Sequence, residues 1–246
     1  PIFFINSDLM PGDLGDVRFI NYILEHGYLF VTQSELHKSF WNLPIFYPTP
    51  NTISYSDFLI GGMFLYVPIR FFIKSPQTTL QIWLILVCIL NYYSLYLLLK
   101  ILKFKNLPAS LGAFVFAFCL PRNIQICHLQ LYIQFYMILS FSALLYINKD
   151  NSNLKNNLLF FSAFVCLVIQ LYTTFYFVFF EIFALFISAV IASFFKEPRT
   201  KMSEFIIFYK KELILYSLLS LILLIPLFTH YLAVDIATSW KHHHLI

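Results

Sequence analysis

From Gln77 to Leu99 the chain runs without one charged side chain. About 20 apolar residues in helical form cross the hydrocarbon core of a bilayer, so this run predicts a transmembrane helix. The stretch from Leu158 to Phe195 is longer and carries a single charge, Glu181; Leu213 to Leu232 forms another uncharged run. Only 11% of the 246 residues are charged, against roughly 25% in a soluble domain. The expected fold is all-α: a polytopic transmembrane helical bundle in contact with the lipid bilayer. With so apolar a chain, the net charge of +4 bears on orientation and points to no nucleic-acid partner.

Residues 77–233 are expected to hold about six transmembrane helices within one transmembrane domain spanning 1–246. They are Gln77–Leu99, Pro108–Leu120, Tyr132–Ile147, two helices from 158–195 parted near Tyr172-Thr173-Thr174-Phe175-Tyr176, and Leu213–Leu232. Residues 1–76 are expected to form a long outer loop carrying short membrane-surface helices. Within it, Phe40 to Asn51 is too rich in proline for a continuous helix and reads as interfacial coil. Phe58–Ile73, with Gly61-Gly62 and Pro68, reads as a re-entrant or surface helix. The opening on Pro1 and the lack of a polar tail suggest an excerpt of a longer protein. Cys88, Cys119, Cys127 and Cys166 form no CxxC pair and read as small buried hydrophobes.

Basic residues set the expected orientation. The links after Leu99, Ile147 and Phe195 hold Lys100, Lys103, Lys105, Lys149, Lys155, Lys196, Arg199, Lys201, Lys210 and Lys211, ten of the sixteen basic residues. Placing them inside obeys the positive-inside rule. Residues 1–76, 121–131 and 172–176 then share the outer side of a cytoplasmic membrane.

One outer stretch is conspicuously polar. Between Asn6 and His26 lie Asp8, Asp13, Asp16, Arg18 and Glu25. At ~100° per residue, Arg18, Asn21, Tyr22, Glu25 and His26 share one helix face and Phe19, Ile20, Ile23 and Leu24 the other. This predicts a short helix with its polar face toward water. Asp13 and Asp16 fit two roles: an N-cap and a first-turn acid that suit the helix dipole, or catalytic carboxylates. The same outer side collects Asp57, Arg122, His128, Gln130, Tyr172 and Tyr176. Asp57 also fits a helix cap, His128 a helix-end or snorkelling side chain, and the tyrosines an interfacial belt. Glu181, inside a span, is a functional candidate by its placement. No HxH or HExxH spacing marks a zinc site.

The ordered set resembles a known pattern. Gly15-Asp16 precedes an amphipathic helix ending in Glu25-His26. Phe46-Tyr47-Pro48-x-Pro50-Asn51 leads to Ser56-Asp57-x-x-x-Gly61, and a span with a basic link precedes Pro121…His128-Leu129-Gln130-Leu131. This is similar to bacterial integral-membrane glycosyltransferases of the GT-C fold, whose further spans would lie before Pro1 and after Ile246. The resemblance implies a sugar moved from a polyprenyl-phosphate donor to an acceptor at the outer membrane face. It implies an acidic general base in the first outer loop, matched here by Asp16 with Asp13 as the near alternative. Arg18, Glu25, Asp57, Arg122, His128, Gln130, Tyr172 and Tyr176 become candidate substrate-binding residues. A divalent metal is used by some members; no ligand set for one stands out. The competing expectations are a transporter or flippase of lipid-linked saccharides, and a non-catalytic membrane scaffold.

Overall fold

The computed structural model describes residues 10–12, 15–120, 122, 125–148 and 152–243, the last nine by backbone alone. Among these residues there are nine α-helices and no strand. They are α1 (Asp16–Val31), α2 (Ile60–Phe72), α3 (Pro76–Ile101), α4 (Asn106–Phe118), α5 (Phe135–Tyr146), α6 (Asn153–Leu171), α7 (Phe175–Ser193), α8 (Lys196–Phe208) and α9 (Lys210–His243). Five segments are long and apolar enough to cross a membrane: α3, Leu129–Tyr146, α6, α7 and Lys210–Val234. The chain is a multi-pass integral membrane protein. Its lipid-compatible exterior agrees: Phe179, Phe180, Phe183 and Phe186 of α7 all stand exposed on the isolated chain, a patch that water does not tolerate at this scale.

The expected span at 108–120 is α4, a helix of 13 residues and so only ~20 Å long. It folds back on α3 through Ala109, Ala113 and Ala117, all buried. Small residues at four-residue spacing let two helix backbones approach closely. The break in 158–195 lies at residues 172–174, between α6 and α7. Helix α8, which the basic link had not announced, presents no buried residue.

Links that the basic residues had grouped together gather at one end of the bundle. Leu97 and Lys100 of α3, Tyr146 of α5 and Leu159 of α6 line one cavity. Lys155 Nζ stands 4.6 Å from the Tyr146 ring, and Asn156 Nδ2 donates to Tyr209 Oη at 3.0 Å. Lys149 lies outside the described residues. The other links meet at the opposite end. Leu59 and Ile60 donate their amides to the Thr173 and Tyr172 carbonyls, and Tyr231 Oη donates to the Ser56 carbonyl.

Between Gln125 and Gln134 the backbone is not α-helical, yet Leu129, Tyr132 and Ile133 of this stretch are buried in the bundle. Bare peptide groups in a bilayer are costly, and side chains from three elements satisfy these. Asn91 of α3 donates to the Tyr132 carbonyl at 2.7 Å and accepts from the Gln134 amide; Gln170 of α6 donates to the Ile133 carbonyl at 3.0 Å. Arg122 also donates to the Tyr132 carbonyl, at 3.1 Å. Trp83 Nε1 ties α3 to α2 at the Gly62 carbonyl. The core around them comprises Val17, Ile23, Leu24, Met63, Tyr66, Leu80 and Leu129.

Candidate functional site

Asp16 begins α1, and its carboxylate meets the His128 imidazole. Asp16 Oδ2 lies 3.3 Å from His128 Nδ1, with the two side chains 59% and 52% exposed. Gly15 holds the N-cap position and no side chain caps the helix, so Asp16 is a first-turn acid rather than the cap. A close approach holds the two elements together: a Cβ on Gly12, whose φ is +95°, would meet the Val17 side chain at 2.7 Å and the Ile126 carbonyl at 3.3 Å. Asp13 lies outside the described residues. Arg18, two residues further along the first turn, is exposed.

The remaining polar face of α1 departs from expectation. Asn21 and His26 are buried, and Glu25 is nearly so. The helix lies in a groove between α2 and the 35–41 loop, so both its faces are covered. Glu25 accepts from Arg70 and from Tyr66 Oη. His26 contacts His37 through their Nδ1 atoms at 2.7 Å, and its Nε2 lies 2.9 Å from the Phe40 carbonyl. A carbonyl only accepts, so His26 carries its proton on Nε2, and its bare Nδ1 accepts from His37 Nδ1–H. Burial lowers both histidines below their ordinary value. His37, Tyr66 and this pairing were invisible in the sequence, where nothing spaces His26 and His37 as partners.

Arg122 is 5% exposed and fully engaged. It donates to the Phe116 and Tyr132 carbonyls and to Gln134 Oε1, lies over the Phe116 ring, and accepts at its own carbonyl from Tyr132 Oη. Burial lowers its pKa. It braces the irregular link and presents no free face to a ligand. Gln130 Oε1 is buried without a hydrogen-bond partner among the described residues. Tyr172 donates to the Leu223 carbonyl at 2.8 Å, and Tyr176 is exposed on α7.

Asp57 sits against the N-terminus of α7. Burial pushes its carboxyl up to about 6, with the Thr174 hydroxyl and the Phe175 amide pulling part of the way back. Tyr231 and Phe58 pack beside one another in the same corner.

A cavity of about 680 Å³ opens between α1, α2, α6, α9 and the 40–41 loop. Gly27, Phe40, Trp41, Met63, Tyr172 and Leu223 are among its walls, which are almost wholly apolar. Asp16, Asp57 and His128 do not line it. Among the described residues, no group of three or more His, Cys, Asp or Glu side chains is placed to hold a metal ion. No family model, curated protein or solved structure matches the chain.

Proposed function

We propose that the chain is a membrane glycosyltransferase that takes a sugar from a polyprenyl-phosphate donor and passes it to an acceptor hydroxyl at the outer membrane face. The observation that carries this reading is the Asp16–His128 contact. It is an acid–imidazole pair, open to solvent, at the end of the bundle opposite the lysine-rich links.

Asp16 acts as general base in this reading. Its carboxylate accepts the acceptor hydroxyl's proton as the oxygen forms its bond to the anomeric carbon. The bond from that carbon to the phosphate oxygen breaks, and the phosphate leaves with the electron pair. Positioned proton transfer of this kind is worth about 10²–10⁴-fold. A carboxylate nearby also steadies the positive charge that develops on the sugar. His128 holds the Asp16 carboxylate in place. Arg18, exposed in the first turn of α1, is a cation available near Asp16, whereas Arg70 and Arg122 are both engaged inside the bundle. The 680 Å³ apolar cavity suits an isoprenoid tail, which stays in an apolar medium while the head reaches the rim.

The test is transfer of labelled sugar from polyprenyl-phosphate donors in membranes carrying the full-length protein. Wild type transfers and Asp16→Asn loses at least a hundredfold; equal transfer by the two overturns the assignment.

A further inference from the structure

Helix α7 turns almost all of its surface outward, and among the few residues it buries is a carboxylate. Val178 and Glu181 are its buried residues, and Glu181 is 3% exposed. By helix rise Glu181 lies ~9 Å from the N-terminal end of α7, within the apolar span 175–193. Neither of its oxygens has a hydrogen-bond partner among the described residues, and the buried Ser140 Oγ of α5 has none either. Ser140 stands close enough to act on the carboxylate, but no well-formed hydrogen bond joins them and no other group satisfies either among the described residues.

The surroundings restrict what can satisfy them. The groups facing Glu181 are the Ser140 hydroxyl of α5 and the Cys166 thiol of α6. The charged residues of the packed elements, Lys155 of α6 and Lys196, Glu197, Arg199, Lys201 and Glu204 of α8, stand toward the lysine-bearing end. On α7 itself the other titratable side chain is Tyr176, which is exposed. Among the described residues no cation answers the carboxylate, and an unpaired charge buried in hydrocarbon costs several kcal/mol or more. Two carboxylate oxygens and one hydroxyl fall short of the six to eight oxygens that calcium takes. A proton on the carboxylate removes the charge and leaves one O–H to donate, with Ser140 Oγ as its neighbour.

We propose that Glu181 and Ser140 form an intramembrane proton-binding site, with Glu181 a neutral carboxylic acid at pH 7 that titrates reversibly. The site is independent of sugar transfer and stands or falls without it.

Full-length protein in phosphatidylcholine vesicles is treated with dicyclohexylcarbodiimide. This apolar reagent adds the O–H of a carboxylic acid across its C=N bond with no leaving group. The adduct is mapped by mass spectrometry, and the protonated-carboxyl stretch is followed in the infrared. At pH 7 Glu181 is labelled, and Glu181→Gln, nearly the same shape, loses both adduct and band. Labelling falls at least tenfold on raising the pH to 10, and Ser140→Ala moves the half-labelling point to higher pH by removing a donor to the ionised form. The infrared band without an adduct still supports a buried acid that the reagent cannot reach. Absence of both signals at pH 7, labelling indifferent to pH, or protection by sodium ions at fixed pH overturns the proposal.

Discussion

Arg70 reaches back to Glu25 across forty-five positions of chain and clasps it at two points. Its Nε lies 2.9 and 3.1 Å from the two carboxylate oxygens, and its Nη2 donates to Oε1 at 2.9 Å. Tyr66 Oη donates to Oε2 at 2.8 Å, and the guanidinium lies 4.5 Å from the Tyr28 ring centroid. This cluster fastens α1 to α2, and with it the rim on which Asp16 stands.

Both partners of that pair are only 14% and 12% exposed. Removing one leaves the other buried and unpaired, which costs about 3–5 kcal/mol where a pair is fully enclosed. Arg70→Ala is expected to lower the thermal midpoint of the purified protein sharply. A double variant, Glu25→Gln with Arg70→Met, recovers much of the loss because no orphan charge remains. Equal loss in single and double variants would count against an enclosed ion pair.

The His26–His37 pair makes stability depend on pH. Burial holds both imidazoles below 6.5, although the Phe40 carbonyl opposes this for His26 and Glu25 opposes it for His37. Between the lowered folded-state value and 6.5, the unfolded chain binds more protons than the folded one, so stability falls as the pH drops below 6.5. With Asp57 replaced by Asn, the protein is expected to melt at a lower temperature at pH 5.5 than at pH 7.5, and adding His37→Gln to make that difference shallower. The comparison belongs in an Asp57→Asn background, because Asp57 titrates nearby with the opposite sign.

For Asp57 the folded-state carboxyl is raised, from 3.8 to about 6. Its contribution is complete below the unfolded value and is lost as pH rises through about 6. The shift corresponds to about 3 kcal/mol at full ionisation. Asp57→Asn should therefore stabilise the protein at pH 7.5, by at most that amount, and leave it unchanged at pH 4. Denaturation midpoints at the two pH values decide it.

Much of this architecture was legible in the sequence. Uninterrupted apolar runs located the long spans, and the Tyr172–Tyr176 break in 158–195 was marked by a polar interruption. Clustered lysines foretold which links share an end. The polar face of α1 was misjudged for a physical reason. Helical periodicity tells which residues share a face, but not what covers that face. Glu25 and His26 look like a solvated surface until Arg70 and His37 arrive from elsewhere in the chain. Arg122 shows the same limit. At a span mouth it resembles a phosphate ligand, yet the three acceptors that engage it, at Phe116, Tyr132 and Gln134, come together only in the fold.

Gly61 allows α2 to dock on the turn between α6 and α7. Its amide donates to Thr173 Oγ1 at 3.1 Å, while Leu59 and Ile60 donate to the carbonyls of that turn. A Cβ at this position would collide with Thr173 Oγ1 and meet Tyr136 Cε2 at 2.7 Å. Gly61→Ala is expected to destabilise by about 1–3 kcal/mol, as overpacking does. Thr173→Ala removes one of the clashing atoms. The double variant should therefore be more stable than the sum of the single losses predicts, a coupling that adjacent residues show in double-mutant cycles. Strict additivity would mean that α2 shifts bodily instead.

Asp16 separates a role in stability from a role in chemistry. It contacts His128 where both side chains are more than half exposed, and an exposed pair is worth about 0–1 kcal/mol. Its place in the first turn of α1 adds a helix-dipole contribution of similar size, about 0.3–1 kcal/mol. Asp16→Asn keeps the shape and is expected to shift the melting temperature by a few degrees at most. His128→Gln, which retains a donor toward the carboxylate, should be equally mild in melting. If Asp16 is the base, its variant loses transfer at least a hundredfold, while His128→Gln retains part of it with a changed dependence on pH. A first-turn acid that only serves the helix produces the reverse pattern: a modest fall in melting temperature and transfer at the wild-type rate. Melting curves and donor-transfer rates measured on the same preparations distinguish the two.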